Sequence, residues 1–214
     1  MILRFAGLTI FADPVFAHRI GVSLGPVSIG LPRRAPMPLC AEDLPIPDLV
    51  LISHAHFDHL DKPTLRRIAT EKTTLITARR TGRLIPGGFG NVIELDWDHS
   101  LSFRGLHLSA IRPAHWGART AIDRHRGFNS YILRDGSPSG HAHGVLMAGD
   151  TAYTDAFNKI GNLALAVMGI GAYEPWAHAH ATPEETWDMF CASGAERLLP
   201  IHHSTVPLGD EHVD

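Results

Sequence analysis

The chain has 214 residues, a length that suits one sizeable domain better than two, so we expect a single domain over residues 1–214. Its 44% hydrophobic and 19% charged residues are typical of a folded protein rather than a disordered one. The net charge of -3 argues against general nucleic-acid binding, and fifteen histidines favour metal ligation.

The sequence also bears on the cellular setting. Its first residues, 1–5, lack the long apolar core of a signal peptide, and no apolar run approaches the length of a membrane span. Cys40 and Cys191 lie far apart and outside any C-x-x-C pattern, so a disulfide is not expected. We therefore predict a cytoplasmic protein.

The chain is predicted to begin with a β-hairpin, whose strands over residues 2–5 and 8–11 are joined at Ala6-Gly7. Residues 21–47 contain many Gly and Pro residues without a clear period, which predicts a long irregular segment. Such a segment could cover a site or simply connect two elements. The apolar run 49–52 then predicts a buried strand.

The later elements are strands in runs, with helices between some of them. Asp61 can cap a helix that has Pro63 in its first turn and ends near residue 70. Thr182 can cap a second helix that ends near residue 193. The remaining predicted elements are short helices over 78–84 and 153–160 and strands over 74–77, 91–95, 100–103, 106–112, 128–133, 145–148, 163–168 and 197–201.

The densest group of ligand-type side chains directly follows the predicted strand 49–52. His54 and His56 are two residues apart, so in an extended segment their side chains point the same way. Asp58 and His59 follow where the chain must turn, so they can face a second position nearby. Because imidazole and carboxylate groups are ligands for zinc and related metals, the pattern predicts two adjacent metal ions rather than a solvated polar loop.

Three further ligand-type residues stand at the ends of predicted strands. His115 follows the strand 106–112, Asp150 follows 145–148, and His202 follows the last strand. A single His or Asp at a strand end is common, but three of them beside the central group are hard to explain as surface polarity. We therefore expect them to complete a metal site.

With these residues, the chain resembles the metallo-β-lactamase superfamily of binuclear metal hydrolases. The resemblance spans about residues 13–211 and implies an α/β (α+β) fold, the four-layer αββα metallo-β-lactamase sandwich. It assigns His54, His56 and His115 to one metal, Asp58, His59 and His202 to the other, and Asp150 to a bridge between them.

Finer motifs resemble a bacterial branch related to N-acyl-phosphatidylethanolamine phospholipase D and close to ascorbate-phosphate lactonase. They are Asp13-Pro14-Val15-Phe16, Pro113-Ala114-His115-Trp116 with Arg119, Gly149-Asp150-Thr151-Ala152-Tyr153, Ile170-Gly171-Ala172-Tyr173-Glu174-Pro175, and His180 with Pro183-Glu184-Glu185. Relatives usually start one strand earlier and often continue further. We therefore expect the first family strand to be missing, and a homodimer could cover the sheet edge that this leaves.

The resemblance implies a metal-dependent hydrolase that uses a metal-bridging hydroxide, with Zn²⁺ as the expected metal and Mn²⁺ or Fe²⁺ as alternatives. Two divalent ions leave the site positively charged. That charge favours a small anionic substrate, such as a phosphodiester, a phospholipid-derived compound or another phosphorylated compound. Asp58 and Asp150 are expected to be catalytic, with His180 as a general acid or a substrate-orienting group.

Arg119, Tyr173 and His203 are the candidate substrate residues. Each has a second interpretation: Arg119 in a surface salt bridge, His203 in packing, and His180 as a surface histidine beside His178. Trp187, on the second helix, is expected in the core.

Two other functions stay open on the same site: a lactonase or other C–O ester hydrolase, and a non-catalytic metal-binding or sensing protein. The acidic balance argues against a nuclease. The lack of a signal peptide argues against a secreted β-lactamase.

Overall fold

The structure, a computed structural model, describes residues 1–24, 27–37, 43–136, 144–171 and 175–207. The chain divides into two compact units. Unit 1 contains Met1–Leu95 and Trp116–Gly127, and unit 2 contains Asp96–His115 and Phe128–Ser204. Each unit has its own sheet and is described by itself. The expectation of a single domain stays a prediction.

Unit 1 is built on a sheet whose strands carry the first group of candidate ligands. Its strands in the described residues are β1 (Ile2–Phe5), β2 (Leu8–Ala12), β3 (Arg19–Leu24), β4 (Val27–Pro32), β5 (Leu49–Ile52), β6 (Thr74–Ala78) and β7 (Asn91–Leu95). The order in the sheet is β1-β2-β5-β6-β7. β1 and β2 form the predicted hairpin, and β2, β5, β6 and β7 run parallel.

Helix α1 (Lys62–Ile68) starts directly after the candidate ligands of unit 1. As predicted, Asp61 caps it: the Asp61 carboxylate accepts a hydrogen bond from the backbone N–H of Thr64 at 3.2 Å. Leu65 and Ile68 pack into an apolar core that also contains side chains of β2, β5 and β6. Burying each such side chain contributes about 1.5–3 kcal/mol, which fixes the segment between β5 and α1 at both ends.

The expectation of an irregular segment over residues 21–47 is wrong in its first part. β3 and β4 pair as an antiparallel two-stranded sheet, in which Gly21 lies opposite Gly30. A Cβ atom on Gly21 would lie 2.2 Å from the carbonyl oxygen of Ile29. Gly21 and Gly30 obscure the strand pattern in the sequence, yet they are the residues that allow the two backbones to approach.

Two predicted helices are largely absent from the described residues. Residues 78–84 contain only a 3₁₀ turn, Gly82–Leu84, because Ala78 still belongs to β6 and Arg80 has a left-handed φ of 61°. Residues 153–160 likewise contain only the 3₁₀ turn Asp155–Phe157. Lys159, with φ 57°, departs from helical geometry directly after it.

Unit 2 carries a second sheet, whose parallel strands end at one edge. Its strands are β8 (Ser100–Phe103), β9 (Leu106–Ile111), β10 (Ser130–Asp135), β11 (Gly144–Met147), β12 (Leu163–Gly169) and β13 (Leu198–Ile201). They lie in the order β13-β12-β11-β10-β9-β8. β11, β12 and β13 are parallel, and β9 points the same way because β10 is antiparallel to both β9 and β11. The segments that follow β9, β11, β12 and β13 therefore all start at the same edge.

Helix α2 (Pro183–Ser193) has the predicted capping box. The Thr182 hydroxyl accepts from the backbone N–H of Glu185, and the Glu185 carboxylate accepts from the backbone N–H of Thr182. Gly194, with φ 74°, ends the helix in the left-handed conformation that glycine adopts readily.

Trp187 is on α2 but not in the core, so that expectation is wrong. Its side chain is 57% exposed. The buried face of the helix instead passes through Thr186, Met189 and Ser193, which are three or four residues apart. Within the described residues, no helix is long and apolar enough to cross a membrane.

Candidate metal-ligand clusters

The first cluster, called the unit 1 cluster, consists of His54, His56, Asp58 and His59 in the turns between β5 and α1. His54 and His59 are buried, and the other two side chains are partly exposed. Nε2 of His54 lies 2.8 Å from Nδ1 of His56. Nε2 of His59 lies 3.7 Å from a carboxylate oxygen of Asp58. The structure thus brings together all the ligands predicted from this stretch.

Asp13 sets the protonation of two rings in the unit 1 cluster. Its carboxylate lies 2.8 Å from Nδ1 of His59 and 2.6 Å from the Ser53 hydroxyl. Because a carboxylate only accepts, His59 Nδ1 and Ser53 both donate to it. Ser53 then accepts from Nδ1 of His54, 2.9 Å away. Both rings therefore carry their proton on Nδ1 and a lone pair on Nε2, the form that binds a metal.

Asp13 begins one of the motifs that resemble the family, but the sequence alone assigns no role to it. Its backbone has a φ of 40°, in the left-handed region that non-glycine residues rarely adopt. Asp13 directly follows Ala12, the last residue of β2. A polar residue with such backbone strain, next to a ligand-rich turn, is typical of a functional position.

Two side chains of the segment Trp116–Gly127 contact the unit 1 cluster or its backbone. The ring of Trp116 packs against His56 with 4.9 Å between ring centroids. Arg119 donates from Nη1 to the carbonyl oxygens of Ala55 at 2.9 Å and Leu60 at 2.8 Å. Burial lowers the pKa of Arg119, an effect that nearby carboxylates oppose.

Asp123 anchors this same segment. Its carboxylate accepts from the backbone N–H groups of Arg119 at 2.9 Å and Thr120 at 2.7 Å, and from Nε of Arg126 at 2.6 Å. Burial alone raises the pKa of Asp123, but the hydrogen bonds from Arg126 and Thr120 outweigh it and hold that pKa well below its usual range. The carboxylate is therefore charged at neutral pH.

The second cluster, called the unit 2 cluster, consists of His115, Asp150, His180 and His202. One carboxylate oxygen of Asp150 lies 3.6 Å from Nε2 of His202, 3.7 Å from Nδ1 of His180 and 3.8 Å from Nε2 of His115. The ring nitrogens therefore converge on this oxygen at separations longer than a hydrogen bond. His180 also stacks on His202, with 5.3 Å between ring centroids.

The backbone near Thr151 holds the loops of the unit 2 cluster together. The Thr151 hydroxyl accepts from the N–H of Ala114, and the Thr151 carbonyl accepts from the N–H of Ala181. Nδ1 of His115 donates to the carbonyl of Ala179 at 3.0 Å. That bond leaves the lone pair of His115 on Nε2, the nitrogen that faces Asp150.

The backbone around His202 is strained. Its φ is 60°, and β13 ends at the residue before it. Gly171 passes so close that a Cβ atom there would lie 1.7 Å from the carbonyl oxygen of His202. A glycine is therefore required at 171, which accounts for one residue of the Ile170–Pro175 motif.

Not every candidate joins a cluster. His203 is exposed, and its Nδ1 lies 3.1 Å from the Ser204 hydroxyl. Tyr173 lies outside the described residues. His178 is exposed and contacts the carbonyl of Pro175. The substrate roles of Arg119, Tyr173 and His203 stay predictions.

The donor set of each cluster fits a divalent metal. Imidazole nitrogen and carboxylate oxygen are ligands for zinc, manganese and iron, and several of the imidazoles have their tautomer fixed by a hydrogen bond on the other nitrogen. Asp58 and His59 can offer ligand atoms within 4.8 Å of one another, as can Asp150 with His202 and Asp150 with His115.

Residues 9–203 match the family model described as the beta-lactamase superfamily domain. The chain belongs to this family. The chain is 30% identical, over 97% of its length, to an uncharacterized protein of Mycobacterium tuberculosis, of which it covers 57%. It is also 30% identical to the mitochondrial N-acyl-phosphatidylethanolamine-hydrolyzing phospholipase D of Saccharomyces cerevisiae, over 97% of this chain and 46% of that protein. The chain thus spans about half the length of these relatives.

Solved structures share the family's fold. The isothiocyanate hydrolase from Delia radicum gut bacteria has a TM-score of 0.71 and 18% identity, and the match covers 95% of this chain and 81% of that one. At this identity the likeness concerns the fold alone. The predictions of the metallo-β-lactamase superfamily, of its fold and of phospholipase D relatives are confirmed.

Proposed function

We propose that this member of the β-lactamase superfamily is a metal-dependent hydrolase of small anionic substrates. The observation that carries the proposal is the carboxylate of Asp150, which three imidazole nitrogens approach within 3.6–3.8 Å. A buried carboxylate surrounded by imidazoles, with the His115 tautomer fixed for ligation, is costly to build without an ion to bind. The phospholipase D relative supports hydrolysis as the reaction class.

The two clusters, in this proposal, hold two ions, with Zn²⁺ as the first choice and Mn²⁺ or Fe²⁺ as alternatives. When bound, the ions would polarise the scissile bond and activate a water molecule for attack. The proposed ligands are His54, His56 and His115 for one ion, Asp58, His59 and His202 for the other, and Asp150 for both.

His180 has the proposed role of a general acid. Its Nδ1 faces the Asp150 carboxylate at 3.7 Å, and its ring is only partly buried, so it can meet both the carboxylate and a substrate. A histidine in this position can donate a proton to the leaving oxygen as the bond breaks. Asp150 would hold the protonated ring in place.

The proposed substrate is a phosphodiester-type compound, phospholipid-derived or otherwise phosphorylated. Two divalent ions with two aspartates leave positive charge at the site, which favours an anionic substrate. The name of the yeast relative, which hydrolyses a phospholipid, supports the same class. A cytoplasmic location and a homodimer stay predictions.

One assay tests the proposal: turnover of a chromogenic phosphodiester and of a simple lactone by metal-loaded and chelated protein. Metal-dependent phosphodiester cleavage is expected, and cleavage of the lactone alone would replace the substrate class with lactones. Asp150→Ala should abolish turnover, whereas Asp155→Ala, an exposed aspartate five residues further on, should not. Binding of metal without turnover of either substrate would overturn the hydrolase in favour of a sensing role.

A further inference from the structure

We infer that Arg119 is a positioning residue that fixes the turn between Ala55 and Leu60 in the shape needed for metal ligation. The inference rests on the proposed function, since it concerns three of the proposed ligands. His56, Asp58 and His59 all lie between the two residues whose carbonyl groups Arg119 contacts. The residues involved all belong to unit 1.

A single nitrogen atom of Arg119 makes both contacts. Nη1 carries two N–H groups, and it donates to the Ala55 carbonyl at 2.9 Å and to the Leu60 carbonyl at 2.8 Å. Both distances lie in the range expected for a charged donor. Because one atom holds both ends of the turn, the ends cannot separate without breaking at least one bond.

The middle of the turn is held by a second contact. The guanidinium carbon of Arg119 lies 3.9 Å from the centre of the Phe57 ring. A guanidinium over an aromatic face gains about 0.5–2 kcal/mol, more when it is partly desolvated as here. Phe57 lies between His56 and Asp58, so this contact restrains the peptide that separates ligands of the two proposed ions.

The backbone around Arg119 is itself held in place, so the side chain can restrain the turn between Ala55 and Leu60. Asp123 accepts hydrogen bonds from the backbone N–H groups of Arg119 and Thr120, and Arg126 closes the loop by donating to the same carboxylate. At the base of the loop, a Cβ atom on Gly117 would lie 2.1 Å from the carbonyl oxygen of Gly127. The loop therefore leaves little freedom at the Cα of Arg119.

Arg119→Met tests the inference, because methionine keeps an unbranched apolar stem and removes every donor. We expect the dissociation constant for Zn²⁺, measured by competition with a chromogenic chelator, to rise about 10–100-fold. Arg119→Lys should lie between Met and the wild type, since one ammonium can still donate to the carbonyl groups. The matched control is Arg66→Met, which changes an exposed arginine in the last turn of α1.

Zn²⁺ affinity, thermal midpoint and KM together distinguish a positioning role for Arg119 from a purely structural role and from a substrate contact. A purely structural role would lower the thermal midpoint of the metal-free Arg119→Met protein without changing its Zn²⁺ affinity below that midpoint. A substrate contact would raise KM for an anionic substrate at unchanged Zn²⁺ affinity. Either result overturns the inference. If the wild-type protein bound none of Zn²⁺, Mn²⁺ and Fe²⁺, the proposed function itself would fail, and that outcome is visible before any variant is made.

Discussion

The unit 1 and unit 2 clusters contain similar ligand-type side chains but are built from different kinds of chain segment. The unit 1 cluster comes from one short turn, residues 54–59, which is held by contacts with Asp13 and with Arg119. The unit 2 cluster collects single residues from four separate segments after the sheet. It is held by strand ends and by backbone hydrogen bonds around Thr151.

This difference determines where each cluster is vulnerable. In a continuous turn, the position of each ligand depends on the residues next to it in the chain. Loss of one supporting side chain therefore shifts several ligands together. In the unit 2 cluster each residue follows its own strand of the sheet, so its position depends less on its neighbours in the chain. A change there should act on one function at a time.

Among the variants that test this difference between the two clusters, His180→Gln is expected to have the largest effect. His180→Gln should lower kcat by about 100-fold or more, because the proposed general acid is lost, while metal content stays at the wild-type level. Steady-state kinetics and metal analysis on the same preparation measure both quantities. His178→Gln is the matched control, since His178 is exposed and two residues away. Loss of metal in the His180 variant would make this residue a ligand or a structural group instead.

Asp13→Asn tests the continuous turn. The amide can still accept from the backbone N–H of Ser53, but its NH₂ group replaces the oxygen that accepts from Ser53 and His59. His59 would then move its proton to Nε2, which blocks ligation. We expect metal affinity to fall about 10–100-fold, measured by chelator competition.

The control for Asp13→Asn is Asp43→Asn, an exposed aspartate of the same unit. If Asp13→Asn reduced only kcat and left metal affinity unchanged, the tautomer assignment for His59 would be wrong. If instead it weakened metal binding as much as removal of His59 itself, Asp13 would count as part of the binding site rather than as its support.

The same difference explains how much could be predicted from the sequence. Residues 54–59 carry their spacing in the chain itself, so periodicity and ligand chemistry predict the unit 1 cluster directly. The residues of the unit 2 cluster are separated by up to 87 positions in the chain, from His115 to His202. Only strand ends and the family resemblance connect them, and the parallel order of β11, β12 and β13 supplies the physical reason.

The errors in secondary structure share a cause: backbone geometry outweighs the preference of the local composition. Gly21 and Gly30 weaken a strand pattern but allow β3 and β4 to pair. Residues 153–160 are predicted to form a helix, but the left-handed Lys159 ends the turn after one 3₁₀ segment. The supporting roles of Asp13, Arg119 and Asp123 depend on contacts between residues 40 to 64 positions apart or on loop geometry, which no local pattern contains.

Asp123 gives the smallest expected effect and acts on stability rather than on turnover. Its folded-state pKa lies below the ordinary value of 3.8, because hydrogen bonds from Arg126 and Thr120 outweigh the opposing effect of burial. The stabilisation is therefore fully present above pH 3.8 and is lost as the pH falls through the folded-state pKa. Asp123→Asn should lower the free energy of unfolding by about 1–2 kcal/mol at pH 7.

Urea unfolding at pH 7, 4 and about 2.5 checks both the sign and the window of this effect. The difference between wild type and Asp123→Asn should change little between pH 7 and 4 and be smaller at about pH 2.5, because Asp123 of the unfolded chain takes up a proton there while the folded-state carboxylate stays charged. Asp43→Asn, at an exposed site, should show no comparable difference. A difference that stays constant down to the lowest pH would mean that Asp123 supports the loop through its shape. The restraint on the backbone of Arg119 would then not depend on the charge of the Asp123 carboxylate.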